Sequence, residues 1–256
     1  MVSAILQAAE LSDQDRVLEI GPGLGALTDR MLPLVGQLKV MELDQDLIAR
    51  LEQRTAENLH ILAGDALHLD WLALLTEPPY KLVANLPYNI SSQVVFKILD
   101  HHHLFSRLVL MFQKEVGDRL SAPPGNRDYG ILSVLCQLHF DVRRLLTVPP
   151  GAFHPAPKVT SAVLVFTPLG APRVEVRDER FFRRVVKAAF AQRRKTLRNT
   201  LSASGFGGAH LEPLLERLGI DPVRRGETLS LEEFSRLAIG LQQAIGSEAG
   251  REMEGE

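Results

Sequence analysis

Apolar residues cluster in short runs along the first two-thirds of the chain and recur at helical spacing in the last third. The runs Arg16–Ile20, Leu38–Glu42, Leu59–Ala63, Lys81–Ala84, Arg107–Phe112, Phe140–Val148 and Ser161–Phe166 are β-prone and bounded by turn residues, so each predicts a strand. Between them, apolar positions three and four apart predict helices over Ser3–Leu11, Ala26–Leu34, Ser91–Leu99, Lys114–Leu120 and Ile131–Leu138. Ser91 is the expected cap of its helix, and Asp44 of another. Strands alternating with helices predict an α/β domain with a largely parallel sheet. Thr167–Pro172 reads as a linker. Beyond it, Asp178 caps a helix whose apolar side runs Phe182, Val186, Phe190, Leu197, Leu201. Gly205–Gly208 ends that helix, and Leu211–Leu218 and Leu231–Leu241 predict two more, the second with Ser230 and Glu233 in capping-box positions. The expected division is a sheet domain over 1–168, a helical domain over 173–246 and a short, acidic, disordered tail over 247–256.

Composition narrows the function classes. The 256 residues, 45% hydrophobic and 23% charged, suit an ordinary globular protein with a sizeable core. No apolar stretch approaches the ~20 residues of a membrane span. The lone Cys136 excludes an internal disulfide, reads as a core residue and suits a reducing, cytoplasmic setting. A net charge of −2 argues against a uniformly basic nucleic-acid binder.

The first strand runs into Gly21-Pro22-Gly23-Leu24-Gly25, a glycine turn that lets backbone approach a ligand where a Cβ would clash. Gly21-x-Gly23-x-x-Ala26 satisfies a dinucleotide fingerprint. Equally, Glu19 two residues before Gly21 suits a cofactor with a cationic amino-acid end, and the turn alone leaves both open. Glu42 lies 21 residues after Gly21, close to the ~20-residue interval of a ribose-binding carboxylate. Asp65, at the end of the third strand, is placed to accept a bond from an adenine amine, with Ala66 and Leu67 beside it.

The centre of the reading is Asn85-Leu86-Pro87-Tyr88. Pro87 turns the chain at the carboxyl end of the fourth strand, where open α/β sheets bind ligands. The Asn85 side-chain oxygen and the Leu86 carbonyl accept hydrogen bonds from an exocyclic amine, and the Tyr88 ring offers a stacking face. Phe153, in the proline-rich loop Pro149–Lys158, either plugs the core or stacks on the other face of the same base. His101-His102-His103 reads as an exposed loop, because three adjacent side chains cannot converge on one ion. Arg180, Arg183, Arg184, Lys187, Arg193, Arg194, Lys195 and Arg198 form a run with no acid inside it, which suits phosphate contacts.

Together these residues resemble the ribosomal RNA adenine N6-dimethyltransferases of the KsgA family. The matching segments are Val17-Leu-Glu-Ile-Gly-Pro-Gly-Leu-Gly-Ala-Leu-Thr28, Gly64-Asp-Ala-Leu67, Asn85-Leu-Pro-Tyr-Asn-Ile-Ser91, Phe153-His-Pro-Ala-Pro-Lys-Val159 and Ala189-Phe-Ala-Gln-Arg-Arg-Lys-Thr-Leu-Arg198. The resemblance implies a Rossmann-like class I methyltransferase sheet, seven strands with the last antiparallel, and a small helical C-terminal domain. It implies S-adenosylmethionine as cofactor, held by Glu19, Gly21, Gly23, Gly25, Glu42, Leu43, Asp65, Ala66 and Asn85. It implies catalysis by Asn85, Leu86, Pro87, Tyr88 and Phe153, and RNA contacts from Arg183, Arg184, Lys187, Arg193, Arg194, Lys195 and Arg198. The implied substrate is a pair of adjacent adenines in a hairpin loop near the 3′ end of small-subunit rRNA, met by a monomer on the immature 30S subunit, with no metal and no membrane. Alternatives are a large-subunit enzyme of the macrolide-resistance kind and a non-catalytic ribosome-assembly factor. Family members carry Gly-Gln-Asn-Phe-Leu before the first helix, where it helps close the cofactor pocket. Nothing before Ser3 matches it, so a truncated or late-starting chain with altered cofactor affinity is expected.

Overall fold

A computed structural model describes residues 1–152 and 158–254, with side chains through 246. The chain divides into two compact units, one of 1–118 and 140–169 and one of 119–139 and 170–256. In the first, α1 (Val2–Ala9) precedes β1 (Arg16–Ile20), α2 (Thr28–Met31), β2 (Gln37–Glu42), α3 (Gln45–Leu51), β3 (Leu59–Ala63), α4 (Trp71–Leu74) and β4 (Tyr80–Asn85). Then come α5 (Ser91–Asp100), β5 (Phe105–Gln113), α6 (Lys114–Ser121), β6 (Phe140–Val148) and β7 (Ser161–Pro168).

The seven strands lie in the order β3-β2-β1-β4-β5-β7-β6. β1 to β5 pair in parallel, and β7 is antiparallel to both β5 and β6. This is the seven-stranded sheet the resemblance implies. Val17, Leu18, Leu82, Val83, Leu108, Val109, Val163 and Val165 are all buried, as expected of central strands covered on both faces. The strand order reverses between β1 and β4, so the loops leaving them flank the crevice where such sheets take ligands. Gly21 leaves β1 at that point and Asn85 closes β4.

Local chemistry moves several boundaries. The helix expected over Ala26–Leu34 is only α2 with a 3₁₀ turn at Leu32–Leu34. The glycine turn occupies its start, and Pro33 supplies no N–H to continue the ladder. Ser91 does not cap α5; its hydroxyl donates to the Tyr88 carbonyl instead (3.1 Å). Asp44 does cap α3, accepting from the Asp46 and Leu47 amides. His102–Leu104 form a 3₁₀ turn, with the His101 and His102 rings half-buried and hydrogen-bonded to the Lys97 and Leu99 carbonyls, so the triplet is not a free loop. Among the described residues no group of three or more His, Cys, Asp or Glu converges on a metal position, and no helix is long and apolar enough to cross a membrane.

In the second unit, α7 (Ile131–His139), α8 (Glu179–Ala189), α9 (Leu197–Leu201), α10 (Leu211–Arg217) and α11 (Leu231–Glu254) are all helical. Segment 119–139 belongs here, although the sequence groups it with the sheet. α7 packs on α8 and α11, and the Leu138 carbonyl accepts from the Arg173 amide (2.9 Å). The core is aromatic, with the Phe190 ring stacked on Phe234 and edge-on to Tyr129. Cys136 is buried and its thiol is pushed far up by desolvation, so it is a core residue. The Ser230–Glu233 capping box is formed. The single basic helix is not formed, because the chain leaves α8 at Phe190 and re-enters helix only after the Thr196 cap. Nor is 247–254 a coil: α11 runs through to Glu254, with no proline to stop it.

Candidate active site

The site is built on one close approach. Gly21 has φ +67°, and a Cβ there would lie 3.2 Å from Cδ and Cγ of Pro87. The glycine turn after β1 and the proline turn after β4 therefore lie close together, in a backbone conformation that favours glycine. A cavity opens on each side of this contact. The first, about 500 Å³, is lined among others by Glu19, Gly21, Gly23, Asn85 and Met111. The second, about 620 Å³, is lined by Gly21, Glu42, Leu43, Asp65, Ala66 and Pro87 among others.

Glu19 is 1% exposed and accepts a 2.6 Å bond from the Thr28 hydroxyl. Burial pushes its carboxyl up to about 8. Gly23 has φ +58° and nothing within 4 Å of where a Cβ would stand, so its backbone is open to a ligand. Gly25 behaves differently. It lines neither cavity, and a Cβ on it would meet the Arg54 guanidinium, which donates to the Leu24 carbonyl and pairs with Asp29. Its positive φ of +90° lets the Arg54 guanidinium lie where a side chain would stand.

In the second cavity, Glu42 is anchored by backbone. Its Oε1 accepts from the Leu43 and Asp44 amides (2.8 and 3.1 Å) and its Oε2 from Gly23 (3.3 Å). A carboxylate has about four acceptor sites, so this one retains capacity for hydroxyl donors. Leu43, 63% exposed, offers an apolar surface beside it. The Asp65 carboxylate accepts from the Leu67 amide, which lowers its pKa, and pairs with His68. Two residues that sequence reading passed over hold this loop. The Trp71 indole donates to the Ala66 carbonyl (3.0 Å), and the Lys97 ammonium donates to the Leu67 and Leu69 carbonyls (2.8 and 2.6 Å). Both lie outside any motif, and the one signal for Trp71 is its being the chain's single tryptophan.

At the turn itself, the Leu86 side chain is buried and its amide donates to the Met111 carbonyl (3.3 Å). Asn85 is exposed at the first cavity. Among the described residues, neither its amide nor the Leu86 carbonyl has a hydrogen-bond partner. Tyr88 is half-buried, its hydroxyl 2.6 Å from that of Ser161. Phe153 lies outside the described residues.

The basic candidates lie in the second unit and are not equivalent. Arg183 is paired with Glu179, Arg193 with Glu227 and Arg198 with Glu212. These acids are distant in sequence or just before the run, so the run is less naked than it reads. Arg184 lies over the Phe181 and Phe206 rings, each at 5.6 Å. Lys187, Arg194 and Lys195 are exposed and meet no acid among the described residues.

The model of the family described as ribosomal RNA adenine dimethylase matches residues 1–243. A Syntrophotalea carbinolica protein named ribosomal RNA small subunit methyltransferase A is 68% identical over 94% of this chain and 92% of the relative. One of the same name from Geobacter sulfurreducens is 53% identical over 96% and 92%. The crystal structure of a dimethyladenosine transferase from Plasmodium falciparum matches at TM-score 0.80 and 26% identity, covering 94% of this chain and 95% of that one. The 23S rRNA methyltransferase ErmE, at TM-score 0.68 and 22% identity over 94% and 97%, shares the fold.

Proposed function

This chain belongs to the ribosomal RNA adenine dimethylase family, and we propose that it methylates N6 of two adjacent adenines in the 3′-terminal hairpin loop of small-subunit rRNA. It is a class I adenine dimethyltransferase acting on rRNA. The macrolide-resistance alternative rests on a likeness of fold at 22% identity, whereas relatives 53–68% identical carry the small-subunit name. We place the reaction on the immature 30S particle, in the cytoplasm, with the enzyme acting as a monomer.

The two cavities fit S-adenosylmethionine. The first offers the buried Glu19 carboxyl, and a Gly23 turn with nothing packed where a side chain would stand, to a cationic amino-acid end. Glu42 and Leu43 suit a ribose, and Asp65 with Ala66 an adenine. When bound, the cofactor supplies an electrophilic methyl group.

Adenine N6 is a weak nucleophile, because its lone pair is delocalised into the ring. The exposed Asn85 side-chain oxygen and the carbonyl of the buried Leu86 would accept its N–H groups and localise that lone pair. Alignment of this kind is worth ~7–11 kcal/mol. The base must leave its stack to arrive, and Tyr88, with Phe153, would hold it by its faces. No strong base is needed, since the methylated amine loses its proton to water. In the second round only one N–H remains, so one acceptor then suffices. The open cations Lys187, Arg194 and Lys195, and Arg184 from its place over Phe181 and Phe206, would grip phosphates, and Arg183, Arg193 and Arg198 contribute only if they exchange their carboxylate partners.

The observation that carries this reading is the exposed Asn85 side chain, without a partner among the described residues, at the first cavity beside the Gly21–Pro87 contact. Incubation with labelled methyl donor and unmethylated 30S particles, followed by mapping of the product, tests it. Label on two neighbouring adenines of the 3′-terminal loop is expected; label elsewhere, or none, overturns it.

A further inference from the structure

We propose that Ser161 is a positioning residue for methyl transfer, acting through the Tyr88 ring. This rests on the reading of Tyr88 as the shelf on which the target base lies. Tyr88 follows β4, whereas Ser161 opens β7, and β5 lies between those strands. Sheet neighbours are ~4.8 Å apart, so the 2.6 Å contact between the two hydroxyls spans about 10 Å of sheet edge. The Tyr88 side chain therefore reaches past the carboxyl end of β5, the strand whose Met111 is the register partner of Asn85.

The tether is built to be rigid. Ser161 is fully buried, and it is paired with Gln113 of β5 on one side and Val148 of β6 on the other. The other end of the tyrosine is fixed too, because the Ser91 hydroxyl donates to the Tyr88 carbonyl. A ring held at its backbone and at its hydroxyl keeps one tilt. A ring held only at its backbone turns about its side-chain torsions and presents the base to Asn85 in many orientations, which lowers turnover. Donor binding does not pass through this ring, since Tyr88 and Ser161 line neither cavity.

Steady-state kinetics on unmethylated 30S particles test this. Ser161→Ala and Tyr88→Phe are each expected to lower kcat about fivefold and to leave the KM for the methyl donor at the parental value. The double variant should be no slower than the slower single one, because both remove the same bond, and Ser161→Thr should restore the rate. Parental kcat in Ser161→Ala, or losses that multiply in the double variant, overturns the proposal. Should Ser161→Ala not fold, Tyr88→Phe decides alone, and parental turnover there overturns it. Failure of the underlying reading looks different: Tyr88→Ala would then turn over at the parental rate.

Discussion

The sheet edge and the basic run give equally loud signals in the sequence and fare differently in the structure. At the sheet edge, residues from β1, β2, β3 and β4 converge on one contact, Gly21 against Pro87, and each motif gains partners that extend its meaning. In the helical unit the run of like charge breaks at Phe190, and Arg183, Arg193 and Arg198 find carboxylates. A motif that dictates backbone conformation carries its geometry with it. A charge run dictates none, so distant acids can cancel it.

The largest effect should come from breaking the contact itself. Gly21→Ala forces a side chain into φ +67° and 3.2 Å from Pro87. It should cost about 1–3 kcal/mol of stability and, by displacing the turn, about a hundredfold in turnover. Thermal unfolding and methyl-transfer rates read both; an unchanged rate would mean that the glycine and proline turns work independently. Next is Glu42→Ala, which removes the charged acceptor from the second cavity. Affinity for the methyl donor should fall about tenfold or more by calorimetry, with RNA affinity unchanged. Equal loss of both would remove the distinction between the two regions.

A smaller effect sharpens the other side of the comparison. Arg194→Ala with Lys195→Ala should weaken RNA binding and flatten its dependence on salt by about one contact per residue. Arg193→Ala should change the slope less, because its charge already meets Glu227 (3.1 Å). If all three alter the slope alike, the pairing with Glu227 does not persist on RNA. The smallest effect is on pH dependence. Glu19 is raised from about 4.5 to about 8 by burial. Between those values the unfolded chain has released a proton that the folded one keeps, so stability falls as pH rises through that window and is level above it. Glu19→Gln should abolish the slope, as melting temperatures from pH 5 to 9 would reveal. A slope shared by both proteins would assign it to other groups.

Much of the fold was legible because its signals are local. Every strand run appears within a few residues of its expected place, and Asp44, Asp178 and Ser230 cap the helices they precede. What escaped depends on residues remote in sequence. Nothing near Gly25 announces that Arg54 fills its space. Lys97 and Ser161 lie far along the chain from the groups they fix, in segments whose own pattern says only helix or strand. The place of 119–139 was hidden for a related reason: an apolar helix says that it is buried but not against what.

The central claim is that Asn85, although it also lines the cofactor's cavity, acts with Leu86 chiefly by aiming the target amine. Comparing Asn85→Ala with the parent, for single-turnover methyl transfer and for affinity toward the demethylated cofactor, tests it most directly. Turnover should fall about a hundredfold while affinity shifts by only about a factor of three, less than one ordinary hydrogen bond. Parental turnover, or a loss of affinity as large as the loss of rate, would contradict it.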